Sequence, residues 1–220
     1  MSRIRGVISD FGGVLTTPLV EAFTAVQEQS GIPVDALGRA MARVAARDGA
    51  NPLFELETGR MSEADFLAAL GEALGEELGR DVHLRGFGRW YFANLHANHE
   101  LIAYMRSLRD RGLRLAILTN NVREWEPLWR SKLPVDEIFD VVVDSAFVGM
   151  RKPDRGIFEL TLERLGLSAG QCVFVDDTEI NCQAARELGM GAVWFRSSRQ
   201  AIAEVEAALR AGGPGSAGAA

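Results

Sequence analysis

Apolar and polar positions change period along this chain, and the changes divide it into two kinds of segment. Residues 4–8 are a mostly apolar run that reaches Asp10 and then breaks into Gly12-Gly13, which predicts a short strand feeding a turn. From Pro18 to residue 30 the spacing is helical, with Val20, Phe23 and Val26 on one face and Gly31 as the stop. Residues 33–48 repeat the pattern with Leu37, Met41 and Val44 as the stripe. Asn51 and Pro52 break the chain, and residues 54–57 read as one short turn ended by Gly59. Ser62-Glu63-Ala64-Asp65 resembles a capping box before a helix whose buried face is Phe66, Leu67 and Leu70. A loop at 79–81 precedes an aromatic-rich segment, 84–95, so residues 18–97 read as helices without a strand.

From His99 onward strands and helices alternate. Helical spacing covers 99–111, 123–132, 153–165, 180–188 and 201–209, with Pro127 placing the start of the second of these in question. Apolar runs at 113–118, 141–143, 172–175 and 192–195 predict strands. That alternation predicts an α/β fold: a parallel sheet covered by helices on both faces. The expected organisation is a core of residues 1–15 and 98–210, a helical insert of residues 16–97 after the first strand, and a disordered tail, 211–220, made only of Gly, Ala, Ser and Pro. There is no internal repeat.

The 220 residues, 24.0 kDa, are 47% apolar and 25% charged, ordinary for a folded domain with a real core. A formal charge of −6 argues against nucleic acid or an anionic membrane as the main partner. The basic residues are nearly all Arg; lysine occurs only at Lys132 and Lys152, which makes each lysine more informative. Cys172 and Cys182 read as reduced thiols. No apolar run is long enough to span a membrane, and the first apolar run ends too soon at Asp10 for a secretion signal, so a cytoplasmic protein is expected. Nothing in the pattern specifies an oligomeric state.

Four strand or loop ends carry the candidate chemistry: Asp10, Thr119-Asn120, Lys152 and Asp176-Asp177. In a parallel sheet these ends share one edge, the edge at which open α/β sheets bind ligands. Several carboxylates around one point suit a hard, oxygen-ligated cation such as Mg²⁺. A hydroxyl and a lysine beside them suit a phosphoryl group held from its other side.

The motifs VISDFGGVL, ILTN, the KPD of GMRKPD, and FVDD followed by Asn181 resemble, in order, those of the haloacid dehalogenase-like (HAD) hydrolase superfamily. DSAFVGMRKPDRGIF and VFVDDTEINCQAARELGM are most similar to the phosphatase-like N-terminal domain of soluble epoxide hydrolases and its stand-alone bacterial relatives. The resemblance implies a doubly wound, Rossmann-like core with a helical cap after the first strand. It implies Asp10 as nucleophile and metal ligand, Gly12 as a carbonyl ligand and Asp177 as a direct Mg²⁺ ligand. It implies Thr119 and the Asn120 amide on phosphoryl oxygens and Lys152 on both phosphate and Asp10, with Asp176 and Asn181 behind the metal. A small phosphorylated substrate follows.

The chain departs from that pattern at Gly12, where most phosphatases of the superfamily carry a second Asp that works as acid and base. A slow phosphatase, one that draws its acid from the cap or the substrate, or a non-catalytic binder of a phosphorylated ligand or partner all stay open. His83, His96 and His99 are candidates for a substitute acid, against the plainer reading of surface or capping residues. A dehalogenase needs no metal-binding pair at Asp176-Asp177. A phosphonate hydrolase of the Schiff-base type needs a cap lysine, and residues 16–97 have none. A receiver domain has its acidic pair early in the chain and no such insert. The aromatics Phe87, Trp90, Tyr91 and Phe92 read as packing, and Trp125 and Trp129 as core or interface. Glu55, Glu57 and Arg60 form a polar cluster that could face the site.

Overall fold

Four consecutive buried residues, Gly6–Ser9, form β1, with Val7 in one apolar layer and Ile8 in the other. The computed structural model describes residues 3–211, so the predicted disordered tail lies outside the described residues apart from Ala211, which ends a helix.

After β1 come five helices: α1 (Leu19–Ser30), α2 (Val34–Asp48), α3 (Pro52–Glu57), α4 (Glu63–Leu78) and α5 (Phe87–Ala93). The chain then returns through α6 (His99–Asp110) to β2 (Arg114–Thr119). Next are α7 (Glu126–Arg130), α8 (Val135–Ile138), β3 (Val141–Asp144), α9 (Ser145–Val148) and α10 (Arg155–Leu165). The chain closes with β4 (Cys172–Asp176), α11 (Glu179–Glu187), β5 (Gly191–Trp194) and α12 (Ser198–Ala211).

The sheet is wholly parallel, in the order β3-β2-β1-β4-β5. The first strand is therefore central, and the chain winds outward from it in both directions. This is the doubly wound α/β fold that the strand–helix alternation predicts. One face packs Val7, Leu115, Ile117, Val173 and Val175 against α6 and α12 through Leu101, Met105, Ala201 and Val205. The other packs Ile8, Ala116, Leu118 and Phe174 against α10 and α11 through Ile157, Phe158, Leu162 and Ala185. Burial on both faces explains why the strands read as apolar runs rather than as alternating patterns.

Helices α1–α5 form a separate layer over the strand ends. The two chain segments that enter and leave it run side by side: Thr16 and Ala97 form an antiparallel bridge, the Thr17 N–H donates to His96 O at 2.8 Å, and the Asn98 N–H donates to Leu15 O at 2.9 Å. Leu37 and Val44 are buried as the stripe predicts, but Val20 is 64% exposed, so α1 turns a different face inward, with Phe23 against Tyr91 at 5.1 Å. The side chain of Val26 lies outside the described residues. Ser62 caps α4 by accepting from the Asp65 N–H at 3.1 Å; its hydroxyl also reaches the Asp65 carboxylate at 2.6 Å, so one half of the capping box forms. The helix expected over 123–132 is split. A 3₁₀ turn, Arg123–Trp125, gives way to α7, because Pro127 lacks the N–H that a continuous helix would use and is tolerated only in a first turn. The short α8 and α9 are too brief to leave a period in the sequence.

Candidate active site

Parallel register brings the polar strand ends together. Ser9 pairs with Ile117 of β2 and Val175 of β4, so the next residue on each strand lies on the same edge. Asp10 extends the ladder by one bond, its N–H donating to Val175 O at 2.8 Å. Thr119 and Asp176 are the last residues of β2 and β4, and Asp177 follows directly. Beside Asp10, Phe11 is buried against Trp129 with ring centroids 5.2 Å apart, which anchors the turn that carries the carboxylate.

Lys152 reaches this edge from the loop before α10. Its side chain is 2% exposed, and Nζ donates to Asp10 Oδ1 and to Asp176 Oδ2, each at 2.7 Å. Asn120 fixes that loop: its Nδ2 donates to Lys152 O at 3.0 Å, and its Oδ1 accepts from the Lys152 N–H at 2.8 Å. Asp176 is held further by Asn181 Nδ2, 3.1 Å from each carboxylate oxygen, and by the Thr178 N–H at 2.7 Å. The Thr119 hydroxyl makes only a long, 3.5 Å contact with Asn120 O, so it keeps a donor for something else.

Gly13 explains how Asp177 approaches. Its φ of +76° suits glycine, and a Cβ there would lie 2.3 Å from Asp177 Oδ2. Gly12 differs. Its backbone accepts any residue, and a Cβ there would meet only the far end of Leu19, at 3.0 Å from Cδ2.

Asp10, Asp176 and Asp177 each offer a carboxylate oxygen within 4.8 Å of the other two. One lysine stands against three carboxylates. The Asp10 carboxyl is pushed up to about 7, first by burial and then by Asp176 and Asp177, against the pull of Lys152. Asp177 is raised as well, by burial and then by Asp176. For Lys152, burial alone would lower the ammonium, but Asp10 and Asp176 outweigh it and hold the proton on. The cluster thus has all-oxygen donors and surplus negative charge, a donor set able to coordinate a divalent cation.

Over these groups, between the strand ends and the helical layer, lies a cavity of about 580 Å³. Its floor is Asp10, Thr119, Asn120, Lys152 and Asp177, and Asn181 also borders it. Its walls are largely apolar, with Phe87, Tyr91, Phe92 and Trp125 among them. These aromatics do pack, as expected; Tyr91 stacks near Trp125 with centroids 5.7 Å apart. They also form the cavity wall, which sequence spacing alone could not show. Trp90, 40% exposed, lies outside it, and Trp129 is core. The three histidines are exposed and none lines the cavity, so none stands where a substitute acid would act. Of the polar cluster in the insert, Glu57 borders the cavity, whereas Glu55 and Arg60 pair with each other at 2.7 Å outside it.

Sequence reasoning passed over one charged residue here. Arg151 lines the cavity, donates from Nε to Glu57 Oε2 at 2.8 Å and stacks its guanidinium 3.8 Å from the centre of the Phe54 ring. In a chain whose cations are mostly arginines, its only signal was adjacency to Lys152.

Comparison with known proteins agrees with this geometry. The model of the family "haloacid dehalogenase-like hydrolase" matches residues 4–189. The chain is 30% identical over 212 residues to acyl-CoA dehydrogenase family member 10 of Mus musculus, covering 93% of this chain and 19% of that protein. It is also 30% identical over 201 residues to phosphatase MT3486 of Mycobacterium tuberculosis (strain CDC 1551 / Oshkosh), covering 90% of this chain and 89% of that one. It spans less than two-fifths of the length of the first curated relatives it matches (19% and 38%). A solved HAD-like family hydrolase from Porphyromonas gingivalis shares the fold, with a TM-score of 0.72 at 24% identity over 95% of this chain and 99% of that one. With a family match over most of its length, this chain belongs to the haloacid dehalogenase-like hydrolases.

Proposed function

We propose that the protein is a Mg²⁺-dependent phosphomonoesterase acting on small phosphorylated metabolites through an aspartyl-phosphate on Asp10. The observation that carries this reading is the placing of Asp10 at the end of the central strand, 2.7 Å from a buried lysine and clustered with two further carboxylates at the base of a cavity. The cation would be held by Asp10, the Gly12 carbonyl and Asp177. Bound there, it would offset the charge of the phosphate against that of the carboxylates. Asp176 and Asn181 orient the group behind it.

An Asp10 oxygen attacks phosphorus, the ester P–O bond breaks, the leaving alkoxide takes a proton from water and departs as the alcohol, and the phosphoryl group passes to the carboxylate. Lys152 favours the ionised form of Asp10 against the effect of burial and orients it for attack. The Thr119 hydroxyl and the backbone N–H of Asn120, whose side chain is engaged by Lys152, hold phosphoryl oxygens. Water then releases phosphate and restores Asp10. The apolar walls favour an organic group that is largely apolar, packed under the aromatics of α5. As a division of labour, residues 1–15 and 98–210 carry the chemistry and residues 16–97 the selection of substrate. Within the family, the similarity of DSAFVGMRKPDRGIF to the phosphatase-like domain of soluble epoxide hydrolases supports a place beside that domain. Two buried free thiols, both pushed up to about 12 by burial, suit a cytoplasmic setting.

Leu19 favours a second reading. It occupies the space above Gly12 that an acid at that position would need, as expected of a binder of phosphorylated ligands with little turnover. Phosphate release from a panel of phosphomonoesters, with Mg²⁺ and with chelator, separates the two. The phosphatase reading expects metal-dependent release that Asp10→Asn abolishes. Release that survives Asp10→Asn refutes the assigned nucleophile.

A further inference from the structure

Among the described residues lining the cavity, Arg151 and Lys152 are the only cations. They are neighbours in sequence with opposite assignments. Lys152 is consumed by Asp10 and Asp176. Arg151 is held from two sides but not consumed. Its Nε is taken by Glu57, whose own carboxyl is raised by burial, and one face of its guanidinium lies on Phe54. Its two terminal amino groups make no hydrogen bond to the described residues. Its side chain keeps 18% of its surface open. Two anchors leave the guanidinium little freedom, so an acceptor placed at its free edge would bind without first ordering a long side chain.

While the cavity is wet, water satisfies those N–H groups. An organic group that filled the cavity would expel that water. A purely hydrocarbon group would leave buried donors of a charged side chain unpaired, which is the costly case. A group with a planar oxygen acceptor at that point would pair them. Sites built this way reject the analogue lacking the acceptor far more strongly than apolar pockets reject a missing methylene.

We infer that Arg151 is a specificity-determining residue that reads a carbonyl or carboxylate oxygen on the organic part of the phosphorylated substrate. The inference rests on taking the Asp10 cavity as the substrate site, and it narrows the substrate class. The group is apolar where it meets the aromatics and carries one sp² oxygen acceptor where it meets Arg151.

The test uses non-hydrolysable probes, so it does not depend on turnover. Calorimetric binding is measured at saturating Mg²⁺ for phenylphosphonate and for phenylphosphonates with a carboxylate or a carboxamide at the meta or para position. The unsubstituted protein should bind the best acceptor-bearing probe about 10–100-fold more tightly than phenylphosphonate. That ratio should fall to about one in Arg151→Met and to a few-fold in Arg151→Lys, which keeps the charge but loses the planar fork. Equal gains from carboxylate and carboxamide mean that shape and hydrogen bonding are read; a larger gain from carboxylate means that charge is read too. Either supports the inference. A ratio near one in the parent protein, binding of none of the probes, or a ratio retained in Arg151→Met overturns it. If circular dichroism shows Arg151→Met unfolded, an unchanged ratio in Arg151→Lys overturns it. Failure of the phosphatase reading appears separately, as absent Mg²⁺-dependent turnover of the matching aryl phosphates.

Discussion

Replacing Gly12 with Asp should raise phosphatase turnover, and the space around Gly12 bounds the gain. Gly12 has no left-handed backbone requirement, so an Asp there is conformationally allowed. Its Cβ would lie 3.0 Å from Leu19 Cδ2 and 3.4 Å from Cδ1, both at the far end of a flexible side chain. Leu19 is half-buried and faces the 580 Å³ cavity, so it has room to turn. Crowding of that kind costs about 1 kcal/mol, the low end of the usual range for overpacking. A fourth carboxylate beside Asp10, Asp176 and Asp177 would have a raised pKa, which suits a group that must donate a proton near neutral pH. A placed acid and base is worth ~10²–10⁴-fold in turnover. With Leu19 swung only partly aside, G12D should gain about 10²-fold, and G12D/L19A should gain more than the sum of its parts predicts. The assay is steady-state phosphate release across pH. G12D should add an alkaline limb as the new acid loses its proton. A folded G12D with unchanged or lower kcat, no new limb and no further gain in G12D/L19A would refute the reasoning.

Lys152→Met strips the cation from two buried carboxylates and should cost about 3–5 kcal/mol in urea unfolding with chelator present. The loss should be smaller at pH 5 than at pH 8, because Asp10, already raised to about 7, can take a proton in compensation. Asp144 supplies a separate pH test. It caps α9 through the Ala146 N–H at 3.0 Å, and burial pushes its carboxyl from 3.8 up to about 7. A raised folded-state pKa means that the folded protein holds the extra proton, so Asp144 should lower stability as pH rises from 4 to 7, by about 4 kcal/mol at most. Unfolding curves of the parent and Asp144→Asn at pH 4.5 and pH 8 should show the variant with the smaller decline; equal declines would refute it. Mg²⁺ at 100 times its dissociation constant should stabilise the protein by about 2.7 kcal/mol, seen as a higher melting temperature, and Asp177→Asn should remove most of that shift.

Legibility followed the range of the interaction that fixed each feature. β1 and its partners were readable because both sheet faces are buried, which leaves uninterrupted apolar runs at Val7-Ile8 and Leu115–Leu118 in the sequence. The convergence of Asp10, Asp176 and Asp177 followed from parallel topology, since each stands at or just beyond a strand end; Lys152 joins them from the loop between α9 and α10. The face of α1 was not readable: Val20 and Phe23 have the same helical spacing, and only the position of Tyr91 decides which is covered. The three histidines are exposed and away from the cavity, as the plainer reading expected, since a histidine near a helix end says nothing of the direction in which that end points. Arg151 was missed for a compositional reason, and the cavity it shares with Trp125 was missed because packing and lining make the same demand on an aromatic ring. The occupant of the space above Gly12 depends on the side-chain direction of Leu19, which no local pattern encodes.

The paired entry and exit of the helical layer have a consequence for how such a chain can change. Because Thr16 and Ala97 sit opposite each other, everything between them is, to the sheet, the loop of an oversized hairpin. Lengthening or shortening a loop whose ends are already joined costs only a logarithm of its length. The register of Asp10 against Asp176 is therefore insulated from edits in the helices above. Changes of length between those two residues need not shift the strand that carries Asp10. One chemical engine can thus be refitted for new substrates without being rebuilt.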